Sequence, residues 1–129
     1  MNRENTNIPF ESYEQMKSKA KKLLSDTGHT QYTQAIVLFS AKRNEYCKVI
    51  KNALSDEKTD ETELINKVNE AKDTEISFVL CVWHNGCIDL PSFSFRKMLI
   101  SLNEKNSETL LFVMTAGGIS ARKLSSTMK

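Results

Sequence analysis

The sequence has few cysteines, few glycines and no long apolar run, and each shortage closes off a class of protein. Its three cysteines, Cys47, Cys81 and Cys87, are an odd number, so at least one is unpaired. Two of them lie in or beside an apolar run, where free cysteine behaves as a small hydrophobe. That argues against a secreted disulfide framework and for a reducing, cytoplasmic setting. No apolar run approaches the roughly 20 residues needed to cross a bilayer, so no membrane is expected as a partner. The first seven residues are polar and lack the apolar stretch of a signal peptide. With four glycines in 129 residues, the glycine-rich nucleotide loops are missing. Neither the Walker spacing nor the dinucleotide pattern occurs. Charge of one sign is also scarce: the formal net charge is +2, which argues neither for nor against nucleic acid.

What remains has globular proportions. The apolar fraction of 40% and the charged fraction of 26% are close to ordinary. The length suits one domain with a core that needs no disulfide or metal. We expect a leader over residues 1–10 and a single α+β domain over 11–129. No cofactor and no metal is expected from the motifs.

Two runs are apolar enough to be central strands, Ile76 to Trp83 and Leu110 to Met114. The first is apolar on both alternate sets of residues, as a strand covered on both faces reads. Asn85-Gly86 follows it as a hairpin signal, and Pro91 ends the short returning strand. Ser92 or Ser94 then caps a helix with Phe95, Met98, Leu99 and Leu102 on its apolar side. If the second apolar strand runs parallel to the first, the segment is a βαβ crossover with an inserted hairpin. Ile119 to Leu124 reads as a short helix or an edge strand.

Upstream, Ser12 and Gln15 have capping-box spacing, and Tyr13, Met16, Ala20, Leu23 and Leu24 form one helical face that Gly28 ends. A second helix is expected from about Gln31 to Leu54, with Tyr32, Ala35, Ile36, Phe39, Tyr46 and Ile50 on a broad apolar arc. A third is expected from about Asp60 to Lys72. The fold class is thus α+β: three N-terminal helices followed by a small mixed sheet of hairpin, helix and strand. Trp83, Phe78, Leu80, Leu99, Leu110, Phe112, Ile36 and Phe39 are the expected core.

Three candidate sites emerge. Cys81, His84 and Cys87 have metal-like spacing, but strand alternation turns Cys81 away from His84, and a structural zinc wants four ligands. With Asn85-Gly86 as a two-residue loop, His84, Cys87 and Asp89 share a face and supply the parts of a thiol nucleophile, its base and an orienting carboxylate. The second candidate is an anion site at Gly117, Gly118, Ser120, Arg122 and Lys123, where a glycine turn opening a helix would present backbone amides. The third is a surface. Between Ser55 and Glu75, eight acids face three lysines. Such a block is commonly a solvated helix face. As a docking surface, Asp56, Glu57, Asp60, Glu61 and Glu63 would meet a basic partner.

These features favour a non-enzymatic protein-binding domain of inhibitor, immunity or adaptor type, with another protein, basic in charge, as its partner. A nucleic-acid or phosphate binder at the Gly117-Gly118 turn is the second reading, and a thiol enzyme at Cys87 the third. Oligomeric state is not readable from the chain.

Overall fold

A computed structural model describes residues 9–28 and 30–128 of the chain. Helix α1 spans Phe10–Asp26 and buries Tyr13, Met16, Ala20 and Leu24 along one face. It begins before the expected Ser12 cap, with the Tyr13 amide donating to the Pro9 carbonyl at 3.0 Å. It also ends before Gly28: Thr27 is already extended, so no left-handed glycine is needed to stop it. The leader assigned to residues 1–10 lies outside the described residues except for Pro9 and Phe10, and Phe10 is the first residue of α1.

The expected helix over Gln31–Leu54 is instead a β-hairpin. Strand β1, Gln34–Ser40, pairs antiparallel with β2, Glu45–Ile50. Ala35, Ile36, Val37, Leu38 and Phe39 are all buried. A strand covered on both faces gives a continuous apolar run, and that run is what mimics a broad helical arc. The Ser40 hydroxyl accepts from the Lys42 and Asn44 amides, and Arg43 takes a positive φ of 70° to turn the chain.

The remaining elements follow the expected order. Helix α2 is Thr59–Glu70, strand β3 is Ile76–Trp83, and β4 is the two-residue Ile88–Asp89. Helix α3 is Phe93–Leu102, capped by Ser92. Strand β5, Leu110–Thr115, and β6, Gly118–Lys123, form the last hairpin, so the segment after the glycines is an edge strand. The sheet order is β2-β1-β3-β5-β6, with β4 also paired to β3. The β3–β5 pair is parallel, which makes the β3 to β5 segment the expected crossover.

Over the described residues the protein is therefore α+β with three α-helices and a mixed six-stranded sheet, and one of those helices precedes the sheet. α1 covers one face, over Val37, Leu80, Val82 and Phe112. α2 and α3 cover the other, over Ile36, Leu38, Val79 and Cys81. Of the expected core, Trp83, Phe78 and Leu110 are only partly buried; Trp83 ends β3 and Leu110 begins β5, while Phe78 lies within β3 and stacks on Phe112. Among the described residues, no helix is long and apolar enough to cross a membrane.

Candidate functional site

α2 and α3 lie side by side on one face of the sheet, and their first turns meet. Leu64, Ile65 and Val68 are the buried stripe of α2. Glu61 stands three, four and seven residues before them, so helical periodicity carries its side chain onto the same inward face. It is only 1% exposed. At the start of α3, the Ser92 hydroxyl accepts from the Phe95 amide at 3.1 Å and donates to Glu61 Oε2 at 3.0 Å. One side chain thus caps one helix and orients a carboxylate of the other.

The second carboxylate oxygen, Glu61 Oε1, is buried and has no hydrogen-bond partner. Buried acceptors are nearly always satisfied, so an unsatisfied one requires a reason. Glu61 lines a cavity of about 260 Å³ with Ile50, Lys51, Asn52, Ser55 and Thr59. The loop over that cavity is held locally. The Lys51 amide donates to Asp60 Oδ2 at 2.9 Å, and Lys58 Nζ donates to the Ala53 carbonyl at 3.2 Å. The arrangement is a small recess with a fixed carboxylate at its inner wall, suited to a ligand that donates N–H. Nearby, burial pushes the Cys81 thiol well above its usual range, and the charges of Asp89 and Glu61 push it further. Cys81 stays a thiol and part of the core.

The residues singled out from sequence are distributed differently. Of the acidic set, Asp56, Glu57 and Glu63 are exposed and Asp60 is half-buried, whereas Glu61 is core. Glu63 pairs with Lys48 at 3.0 Å. The hairpin register is shifted by one from the expected one: Cys81 pairs with Asp89 and Val82 with Ile88. The loop has three residues, 84–86, closed by Trp83 N–H to Cys87 O and Gly86 N–H to Trp83 O, both 2.8 Å. Gly86, at φ 89°, takes the left-handed last position such a loop demands. The shift places Cys87 and Asp89 with Cys81 and Trp83 rather than with Val82. Asp89 accepts from Trp83 Nε1 at 3.0 Å and from the Leu90 amide at 2.7 Å. His84, Cys87 and Asp89 do line one open concavity of about 620 Å³, beside Tyr32 and Leu54.

At the anion candidate, Gly118 is the first residue of β6, so Gly117 and Gly118 open a strand and no helix N-terminus faces a ligand. Ser120 sits within β6 opposite Val113. Lys123 pairs with Glu108 at 2.9 Å, and Arg122 donates to the Ser126 carbonyl at 3.1 Å. Arg122 thus holds the turn after β6, and Lys123 ties β6 to the turn before β5.

No protein-family model matches the sequence. No curated protein matches it either. Solved structures do match in fold. The cytidine deaminase of Mycobacterium leprae superposes with a TM-score of 0.64 at 15% identity, over 90% of this chain and 96% of that one. The Bacillus anthracis cytidine deaminase gives 0.67 at 14% identity, over 88% and 84%. The Burkholderia pseudomallei enzyme gives 0.62 at 11%, over 88% and 94%. The likeness is one of fold, and it spans nearly the whole of each chain. It overturns the expectation of a non-enzymatic inhibitor, immunity or adaptor domain: this architecture is one that enzymes use. Of the acids assigned to a docking surface, Glu61 faces the core and is not presented to a partner, whereas Asp56, Glu57, Asp60 and Glu63 remain at the surface.

Zinc deaminases carry H-x-E and, further on, P-C-x-x-C; the His and two Cys hold zinc, and the Glu is the acid–base outside the coordination shell. In this chain Thr59-Asp60-Glu61 opens α2 and Pro91-Ser92-Phe93-Ser94-Phe95 surrounds the start of α3. Both segments keep the spacing and the Glu or Pro of those motifs. Where the motifs have His and Cys, this sequence has Thr59, Ser92 and Phe95, which offer two neutral hydroxyls and a phenyl ring. These donors do not fit zinc, which takes thiolate, imidazole or carboxylate ligands. Among the described residues, no three His, Cys, Asp or Glu side chains cluster to hold a metal.

Sequence reasoning missed this site because the ligand residues that make the signature legible are absent. The usable signal was Glu61 itself, an acid on the Leu64, Ile65 and Val68 stripe.

Proposed function

We propose that this deaminase-fold chain binds a small amino-bearing ring of the cytosine or cytidine type between the starts of α2 and α3, with Glu61 reading the amino edge. The carrying observation is the buried carboxylate with one oxygen held by Ser92 and the other without a partner. A carboxylate accepts hydrogen bonds and makes none of its own, and the exocyclic amino group of cytosine is a donor it pairs with. The recess of about 260 Å³ lies just below the usual range for drug-sized ligands, in keeping with a ligand no larger than a nucleoside. Lys51, Asn52 and Ser55 at its mouth supply donors for sugar hydroxyls. The fold's use by cytidine deaminases supports the same ligand class. Proton transfer at the bound amino group would run through Glu61, the one carboxylate held against the ring. A reducing cytoplasm is the matching compartment for a chain whose three cysteines are all free.

Isothermal titration with cytidine and uridine tests this reading. The two differ at the position Glu61 would read, where uridine has a carbonyl and no N–H. Cytidine should bind at least about tenfold more tightly, the factor that about 1.4 kcal/mol supplies. Equal binding of both, or of neither, contradicts the proposal.

A further inference from the structure

The positions at which zinc deaminases carry their ligands are, in this chain, occupied by side chains with other work to do. We infer that the site is metal-free and that the Ser92–Glu61 hydrogen bond, together with the buried Phe95 ring, takes the place of the metal centre. The Ser92 hydroxyl is already committed twice, accepting from the Phe95 amide and donating to Glu61 Oε2. A neutral hydroxyl is not among the donors zinc takes, and a metal there would compete with the Phe95 amide for the hydroxyl's lone pairs. Phe95 is fully buried in the cluster that contains Leu64, Leu99 and Leu111, so a ring fills the space at the second thiolate position. Thr59 offers only a hydroxyl at the third. The thiol on this face of the sheet, Cys81, is fully buried in the same packed cluster and belongs to β3. The outcome is a carboxylate oriented by a hydroxyl from the neighbouring helix, with one oxygen fixed and one buried without a partner.

The inference also says that only three side chains separate this fold from a metal site. The first experiment measures metal by elemental mass spectrometry after dialysis against zinc. The natural chain should retain far less than one zinc per chain. The chain carrying Thr59→Cys, Ser92→Cys and Phe95→Cys should retain one, and should melt higher with zinc than without. Because Phe95→Cys opens the core, a second variant keeps the ring: Thr59→Cys with Ser92→Cys, which leaves Glu61 as a third donor. With cobalt it should show a thiolate-to-metal absorption band that the natural chain lacks. Stoichiometric zinc in the natural chain overturns the inference. So does a double variant with native near-ultraviolet circular dichroism and no cobalt band, since the two helix starts would then not converge as described. Metal content is measured without nucleoside, so either result leaves the ligand reading to its own test.

Discussion

At the scale of single residues, the energetics centre on two buried carboxylates that are held in opposite ways. Glu61 has one oxygen satisfied and one not, whereas Asp73 has two donors on one oxygen. Asp73 Oδ2 accepts from Asn44 Nδ2 at 2.8 Å and from the Tyr46 hydroxyl at 2.9 Å. Burial alone would push the Asp73 carboxyl up, but hydrogen bonds from Asn44, Ser40 and Tyr46 outweigh it and hold the group below its usual value of 3.8. A carboxyl depressed in the folded state adds stability that is complete above its ordinary value and lost as pH falls through the folded value. Urea unfolding followed from pH 5 to pH 2 should therefore show an acid limb that Asp73→Asn flattens; parallel curves for the two proteins would contradict this. Glu61 behaves differently on substitution. Glu61→Lys places an unpaired ammonium among Leu64, Ile65 and Phe95 and should cost on the order of 3 kcal/mol or more in urea unfolding. If Glu61 were a surface acid, the change would cost almost nothing. Ser92→Ala removes both the α3 cap and the partner of Glu61. It should cost about 1–3 kcal/mol, beyond a cap alone, because a buried oxygen is orphaned with it. Glu61 was legible in part, since its spacing from Leu64, Ile65 and Val68 marks it as inward. The neighbouring acids hid it, because a run of acids reads as a solvated face.

At the scale of elements, the sequence was most readable where one period dominated. α1, α2, α3, β3 and β5 lie within a few residues of their expected positions, since the 3.6 stripe or the continuous apolar run was unambiguous in each. The β1–β2 hairpin was not readable as such. Its inner strand is buried on both faces, and a run such as Ala35 to Phe39 fits a helix stripe and a central strand equally well until its partner is known. The β3–β4 register was missed by one residue because Asn85-Gly86 serves a three-residue loop as readily as a two-residue one. Gly86 sits third in that loop, and only the pairing of Cys81 with Asp89 reveals it. β3 is the strand on which both cores form: Leu80 faces α1 while Val79 and Cys81 face α2 and α3. Leu80→Ala should accordingly cost about 2–5 kcal/mol in equilibrium denaturation. A loss under about 1 kcal/mol would place β3 outside the cooperative core, where Leu-to-Ala losses of that size do not occur.

At the scale of the whole molecule, the packing of α2 and α3 on one face of the sheet brings two helix starts together, and the proposed site lies where they meet. The fold class was visible from composition and periodicity. The likeness to solved structures was not, because at 10–15% identity it lies in the architecture and not in matched residues. The near-neutral net charge is uninformative about ligand for a related reason: a single buried carboxylate such as Glu61 is invisible in a sum over the chain. The central claim is that Glu61 is the group that recognises ligand. The measurement that tests it most directly is a paired calorimetric titration of cytidine into the natural chain and into Glu61→Gln at neutral pH. Gln keeps the size of the side chain and an oxygen to accept from Ser92, so folding should be preserved. Its amide cannot, while so oriented, present a second acceptor to the ligand. The account predicts that the natural chain binds and that Glu61→Gln binds at least about tenfold more weakly at an unchanged melting temperature. Equal affinity in the two proteins, or no binding by the natural chain, would contradict it.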